Sequence, residues 1–247
     1  MGFWAAVQFL TVFPSPVRRQ FSQAEIGASL TYFPLIGLFM GLVLWGTDFA
    51  LSLALPIPVV SALLLVVLAL MTGALHLDGF IDTCDGIALR KTISERLDIM
   101  KDSRVGAFGV VGGSLLLLIK FAALISLPDV LRYAVLVMMP VIGRWAMVYA
   151  IYGYPYARPK GGTGSAYKKG AVAWRVIVAS IVTMAIAVAI GQDWHGLILV
   201  AVVWIVIFAM AAYFRNVFGG LTGDSYGAVN EVAEVTVLIL MPVIWRI

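Results

Sequence analysis

Residues 56–86 have the sequence PIPVVSALLLVVLALMTGALHLDGFIDTCDG, a long apolar run that ends in three aspartates, Asp78, Asp82 and Asp85. A helix that crosses a membrane needs about 20 predominantly apolar residues, and residues 57–75 meet that requirement. Carboxylates are costly next to hydrocarbon and usually have a function there. This stretch therefore predicts a membrane helix that leads into a functional acidic cluster.

The rest of the chain has the same apolar character. Of its 247 residues, 62% are hydrophobic and 12% are charged, whereas soluble domains carry about 25% charged residues. Residues 1–12 are apolar and precede a Pro-Ser-Pro break, which favours an interfacial segment over a span. We therefore expect a single all-α domain over residues 1–247, a polytopic membrane protein with about seven transmembrane helices and an interfacial N-terminal segment. The seven predicted spans are 27–53, 57–75, 108–127, 131–152, 172–191, 196–214 and 232–247.

The distribution of basic residues predicts the orientation of these spans. With the N-terminus in the cytoplasm, 13 Lys and Arg residues fall on the inner side, and Arg132 and Arg246 fall outside. Such an excess is the positive-inside pattern, so the sequence pI of about 9.3 does not require nucleic-acid binding. We expect the active site on the inner face, in segments 76–106, 143–171 and 215–231. The inner residues are Arg18, Arg19, Arg90, Lys91, Arg96, Lys101, Arg104, Arg158, Lys160, Lys168, Lys169, Arg175 and Arg215.

The three aspartates of residues 76–86 favour a metal ion. In a continuous helix they lie at i, i+4 and i+7, on one face, where like charges repel. Mg²⁺ prefers such hard oxygen ligands and commonly bridges carboxylates and substrate phosphates. The spacing is not that of an EF-hand. The alternative is a solvated polar cap on a membrane helix.

Two further inner segments carry groups suited to phosphate. In ERLDIMKDSRVGAFG (95–109), Lys101 and Arg104 can bind phosphate oxygens, and Gly106 allows a close backbone approach. The helix that begins nearby can point its positive end at an anion. In GGLTGD (219–224), glycines, a hydroxyl and Asp224 lie in a polar turn. The alternative roles are topological anchors and an ordinary connecting turn. Arg144, about two turns inside its span, either faces phosphate or extends to the interface.

Together, TGALHLDGFIDTCDG (72–86), IMKDSRVGAFG (99–109), Gly143–Arg144 and GGLTGD resemble the cobalamin synthase family, the adenosylcobinamide-GDP ribazoletransferases, over essentially the whole chain. The resemblance implies that GDP-activated adenosylcobinamide is joined to α-ribazole or its 5′-phosphate, giving adenosylcobalamin or its 5′-phosphate. It also implies release of GMP, dependence on Mg²⁺, and a bacterial cytoplasmic (inner) membrane location with the active site on the cytoplasmic side.

The resemblance also implies roles for particular residues. Asp78, Asp82 and Asp85 are the expected catalytic and metal-binding residues, and Asp102 and Asp224 complete the metal shell or supply a base. Membrane lipid, further copies of the chain and other enzymes of the pathway are the expected partners beyond the two substrates. The residues expected to bind substrate are His76, Lys101, Arg104, Gly106, Arg144, Gly220, Thr222 and Glu231.

Other functions have weaker support in the sequence. DTCDGIALR (82–90) comes close to the D-x-x-D-G-x-x-A-R motif of CDP-alcohol phosphotransferases, but the alanine is one place early and the second half of the motif is missing. A membrane prenyltransferase would have a second aspartate-rich motif of similar density. A cation transporter or channel commonly shows internal repeats and acids at the midplane, whereas these acids cluster at one face.

Overall fold

The computed structural model describes residues 1–88, 91–158 and 163–246. Over these residues the chain is an all-α bundle without β-strands, as the sequence predicts. A single 3₁₀ turn, Leu30–Tyr32, joins the second and third helices. The helices are α1 (Gly2–Leu10), α2 (Gln23–Ser29), α3 (Phe33–Ser52), α4 (Ile57–Thr72), α5 (Leu75–Ile87), α6 (Ile93–Ile99), α7 (Ala107–Ile125), α8 (Asp129–Gly153), α9 (Thr163–Gly170), α10 (Ala173–Gly191), α11 (His195–Phe218) and α12 (Gly223–Ile244).

Six helical segments in the described part of the chain are long and apolar enough to cross a membrane. The pair α4 and α5 makes a seventh if it is counted as one span, although the two axes meet at 92°. The bend lies at Gly73 and Ala74, which both have left-handed backbone angles (φ of 58° and 57°). The predicted multi-pass architecture with about seven spans is therefore confirmed, and α1, at nine residues, is too short to span.

One predicted boundary is wrong. The sequence favoured a turn-rich loop over 215–231, followed by a span over 232–247, but α11 continues to Phe218 and α12 begins at Gly223. The Thr222 side chain caps α12 by accepting a hydrogen bond from the Ser225 amide at 3.1 Å. The polar residues of this helix point into the bundle, where they find partners, so low hydropathy did not mean a loop. Ile247 lies outside the described residues.

The core of the bundle is α8, which packs against α3, α12, α10 and α11 and is buried around most of its circumference. Gly37 and Gly41 of α3 let the two backbones approach closely. A Cβ atom on Gly41 would lie 2.7 Å from both the Cα and the carbonyl oxygen of Val137. Small residues four apart are a common device for helix packing in membranes. This contact fixes α8 against α3.

We expect Gly41→Ala to destabilise the protein, because the added methyl group has no room against Val137. Overpacking of this kind costs about 1–3 kcal/mol, which should lower the Tm of the detergent-solubilised protein. Gly46→Ala is the matched control: it lies on the same helix, and a Cβ there meets nothing within 4 Å. Equal Tm values for the two variants would contradict the close α3–α8 contact.

A buried ion pair links α8 to α3, and hydrogen bonds from the same arginine reach α4 and α7. Arg132 of α8 pairs with Asp48 of α3 at 2.7 Å and also donates hydrogen bonds to Ser61 of α4 and the Leu124 carbonyl of α7. Arg132 was counted among the outer basic residues, but its charge is held inside the protein. Two of the inner basic residues, Arg90 and Lys160, lie outside the described residues.

The segments expected to carry function meet at one end of the bundle. Asp85 near the end of α5 contacts the start of α7, and Arg158, after α8, contacts Asp224 at the start of α12. Phe9 of α1 packs on Tyr167 of α9 with ring centroids 4.3 Å apart. These contacts place the acidic stretch of α5 among α1, α7, α9 and α12.

Candidate active site

The helix α5 carries the three aspartates and is held closely against α12. A Cβ on Gly79 would lie 2.8 Å from the Asp224 carbonyl oxygen, and one on Gly227 would lie 2.9 Å from the His76 carbonyl oxygen. Only glycine permits such a backbone approach. The sequence thus brings Asp224, more than 140 residues along the chain, beside Asp78 and Asp82.

The carboxylates of this acidic cluster (Asp78, Asp82, Asp85 and Asp224) repel one another. Asp82 is half-buried and feels the negative charge of the other three carboxylates as well as the positive charge of Arg158. Hydrogen bonds engage Asp85 and Asp224, whereas within the described residues neither Asp78 nor Asp82 accepts one. Asp78 is exposed. Among the described residues, Asp78 and Asp82 are therefore the two carboxylates of the cluster without a hydrogen-bond partner.

Asp85 has a different partner from its neighbours. Its two carboxylate oxygens accept hydrogen bonds from the backbone amides of Gly106 and Gly109, at 2.7 and 2.8 Å. A Cβ on either glycine would collide with the Asp85 carboxylate. The predicted anion at the positive end of this helix is therefore a side chain of the protein itself, and Asp85 anchors α5 to α7.

The segment around Asp102 forms a cleft next to Asp85. Asp85, Lys91, Asp102, Arg104 and Gly106 are among the residues that line it. Asp102 and Arg104 form an exposed ion pair at 2.6 Å, and hydrogen bonds from the Arg104 side chain lower the pKa of Asp102 to about 2. Asp102 is thus charged and paired with Arg104 at the rim of this cleft.

Lys101 does not line this cleft. Its Nζ lies 3.6 Å from the Asp98 carboxylate in an exposed pair. Of the two cations predicted to bind phosphate in residues 95–109, Arg104 therefore lies at the cleft and Lys101 does not. Lys91, from outside that segment, also lines the cleft.

Asp224 is held by the turn between α11 and α12. Its Oδ2 accepts hydrogen bonds from Arg158 at 2.9 Å and from the Thr222 hydroxyl at 3.3 Å. Leu221 exchanges two backbone hydrogen bonds of 2.8 Å with the segment 155–157, and Gly220 is needed because a Cβ would meet the Pro155 carbonyl at 2.6 Å. The glycines and Thr222 of this motif position Asp224 and bring Arg158 to it.

Three other predicted residues lie deeper, in a buried charge network (His76, Lys120, Arg144, Glu231 and Glu234). Lys120 pairs with Glu231 and Glu234 at 2.5 Å each, Arg144 pairs with Glu234, and the His76 Nδ1 lies 3.5 Å from Arg144. Arg144 is fully buried. It therefore neither reaches the interface nor faces the acidic cluster.

The donor set of the acidic cluster fits Mg²⁺ in one particular mode. Among the described residues, no group of three or more His, Cys, Asp or Glu side chains is arranged to hold a metal ion. Mg²⁺, however, is usually bound through one or two carboxylates, with phosphate oxygens and water completing the shell. Asp78 and Asp82 offer two carboxylates that have no partner among the described residues, so they can hold Mg²⁺ together with a phosphate.

Sequence reasoning did not select several residues that lie at this site. Arg158 belongs to a basic loop, and only its contact with Asp224 distinguishes it from the other loop cations. Phe9 and Tyr226 line a pocket beside Asp78 and Asp224. No local pattern marks either residue, because α1 and α12 meet α5 only in the folded protein.

Comparison with known proteins gives a consistent result. Residues 2–242 match the model of a family described as cobalamin-5-phosphate synthase. A protein named adenosylcobinamide-GDP ribazoletransferase from Geotalea daltonii is 40% identical, over 97% of this chain and 96% of its own length. Proteins of the same name from Desulforamulus reducens and Thermosynechococcus vestitus are 36% and 37% identical, each over 96% of this chain and 94% of their own length. No solved structure matches the chain significantly.

Proposed function

The chain belongs to the cobalamin-5-phosphate synthase family, and we propose that its reaction, the transfer of ribazole to adenosylcobinamide-GDP, takes place at Asp78, Asp82 and Asp224. The observation that carries this proposal is the contact of α5 with α12 at Gly79, which sets Asp224 beside Asp78 and Asp82, two carboxylates that have no partner among the described residues. A cluster of this kind suits the transfer of a group from a diphosphate.

In the proposed reaction, a ribose hydroxyl of α-ribazole or its 5′-phosphate attacks the phosphorus next to the corrinoid. A new P–O bond forms between the ribose hydroxyl and this phosphorus. The bond from this phosphorus to the oxygen of the guanosine-bearing phosphate breaks, and GMP leaves with the electron pair of the broken bond. Asp224 gives up its hydrogen bond from Arg158 and accepts the proton of the attacking hydroxyl. Arg158 then donates its hydrogen bond to an oxygen of the diphosphate. Asp78 and Asp82 would hold Mg²⁺, which would supply charge neutralisation for the diphosphate and the leaving GMP.

The test is GMP release by purified protein supplied with adenosylcobinamide-GDP and α-ribazole 5′-phosphate. We expect GMP to form with Mg²⁺ and its formation to fall to background with EDTA, returning when Mg²⁺ is added back. The same protein is then given a CDP-alcohol and an alcohol acceptor. CMP release in that assay, with no GMP in the first, would overturn the proposal in favour of a CDP-alcohol phosphotransferase.

The same assay addresses location. We propose that the N-terminus and the acidic cluster face the cytoplasm at the bacterial inner membrane, which the excess of inner Lys and Arg supports. GMP should then form from substrates added to sealed inside-out vesicles and not from those added to right-side-out vesicles. The reverse pattern would contradict this orientation.

Arg158→Gln should lower kcat/KM for adenosylcobinamide-GDP by about 10- to 100-fold, because a charge-assisted bond to phosphate contributes about 1.5–3 kcal/mol. The measurement is steady-state kinetics with Mg²⁺ and α-ribazole 5′-phosphate saturating. Arg215→Gln is the control, since Arg215 is an exposed cation at the same end of the bundle. A loss of the same size in both variants would show that Arg158 acts only through general attraction of anions.

A further inference from the structure

A pocket adjoins the acidic cluster, between α1, α5, α8, α9 and α12. Its lining includes Phe9, His76, Asp78, Met147, Asp224 and Tyr226. We infer that it binds the nucleoside substrate, with the aromatic base inside and the ribose at the Asp78–Asp224 rim. This inference rests on the proposed function, and we call the site the nucleoside pocket.

Two buried polar atoms on its lining residues have no partner in the described part of the chain. The Tyr226 hydroxyl and the His76 Nε2 make no hydrogen bond with any described residue, and these side chains are 1% and 2% exposed. Leaving such a group unpaired is costly, so proteins rarely do so without a reason. The free ring nitrogen of a heterocyclic base can pair with one of these groups, and a ribose hydroxyl can pair with the other.

The remaining lining suits an aromatic ring. Phe9 is held in place by tilted packing on Tyr167 at 4.3 Å and by stacking on Phe33 at 6.0 Å, and Met147 adds a polarisable sulfur. Sites for small molecules are mostly apolar, with a few placed polar groups. The nucleoside pocket has this character.

The position of the pocket divides the two substrates between two places. Asp78 and Asp224 belong both to its rim and to the acidic cluster, so a ribose at the rim has its hydroxyls next to the diphosphate site. A corrin ring with its adenosyl group is too large for this pocket. It must therefore approach from the side where Asp78 is exposed.

The experiment measures KM for each substrate separately in Tyr226→Phe and Phe9→Leu. We expect the KM for α-ribazole 5′-phosphate to rise about 5-fold in Tyr226→Phe, through loss of one hydrogen bond, and about 10-fold in Phe9→Leu, through loss of the aromatic contact. The KM for adenosylcobinamide-GDP should stay unchanged. Equilibrium dialysis of labelled α-ribazole, without the corrinoid, should show the same weakening. The matched controls are Tyr213→Phe and Phe49→Leu, at side chains that are 49% and 66% exposed.

The outcomes separate this inference from the proposed function. If the unmodified protein forms GMP while both variants keep the α-ribazole KM and affinity, the nucleoside pocket is overturned and the function stands. A rise in the KM for adenosylcobinamide-GDP alone would likewise overturn it, since the pocket would then hold the other substrate. Absence of GMP with the unmodified protein would remove the proposed function itself.

Discussion

Asp82→Asn should lower kcat by about 10²–10³-fold, the usual effect of removing one group that stabilises a transition state, without destabilising the fold. The substitution keeps the size of the side chain and removes its charge. Asp82 is half-buried and repelled by Asp78, Asp85 and Asp224, so the neutral variant loses a repulsion in the free protein. We therefore expect a Tm equal to or above that of the unmodified protein, together with near-complete loss of GMP formation.

The control for this experiment is Asp98→Asn. Asp98 is an aspartate on α6, with a side chain that is 71% exposed and only a weak pair with Lys101. The Asp98→Asn variant should keep the activity and the Tm of the unmodified protein. A folded Asp82→Asn protein with full activity would rule out Asp82 as a ligand of the metal ion or a stabiliser of the diphosphate.

Glu234→Gln should have the largest effect on stability. Glu234 is the carboxylate shared by Lys120 and Arg144 in the buried charge network, and it also accepts a hydrogen bond from Asn230 at 3.0 Å. Without its charge, Arg144 has no carboxylate partner among the described residues. Breaking a buried pair by removing one partner typically costs about 3–5 kcal/mol. The measurement is the Tm and the monodisperse fraction in detergent.

A double variant provides the control. Glu234→Leu combined with Arg144→Leu removes both charges of one pair and should recover part of the stability that Glu234→Gln loses, because no unpaired Arg144 remains. Glu231→Gln should cost less than Glu234→Gln, since Lys120 keeps Glu234. If Glu234→Gln shifted the Tm no further than the exposed Asp98→Asn, the network would contribute nothing measurable to the fold.

Hydropathy was sufficient to predict the membrane helices, and it failed where polar residues are buried in pairs. Residues 224–234 include Asp224, Asn230, Glu231 and Glu234, which a hydropathy profile interprets as a loop. In the protein they form the first three turns of α12, because the three carboxylates find partners on α7, α8 and the segment after α8, and Asn230 donates a hydrogen bond to Glu234 within α12. That pairing depends on long-range contacts that the local sequence does not contain.

The site was predictable to a similar extent. The shared helical face of Asp78, Asp82 and Asp85 follows from their spacing, and α5 confirms the helix. That Asp85 caps α7 could not be foreseen, because it depends on the approach of Gly106 and Gly109. Likewise, Arg144 seemed suited to phosphate, but its partner Glu234 lies 90 residues further along the chain.

The buried charge network also has an electrical consequence. Its two cations, Lys120 and Arg144, face two carboxylates, Glu231 and Glu234, so their formal charges sum to zero. A single charge moved across a membrane exchanges about 2.3 kcal/mol with each 100 mV of transmembrane potential. A displacement that carried all four charged groups together would exchange almost none. The positions of these four charges on α7, α8 and α12 therefore couple little to the voltage across the membrane.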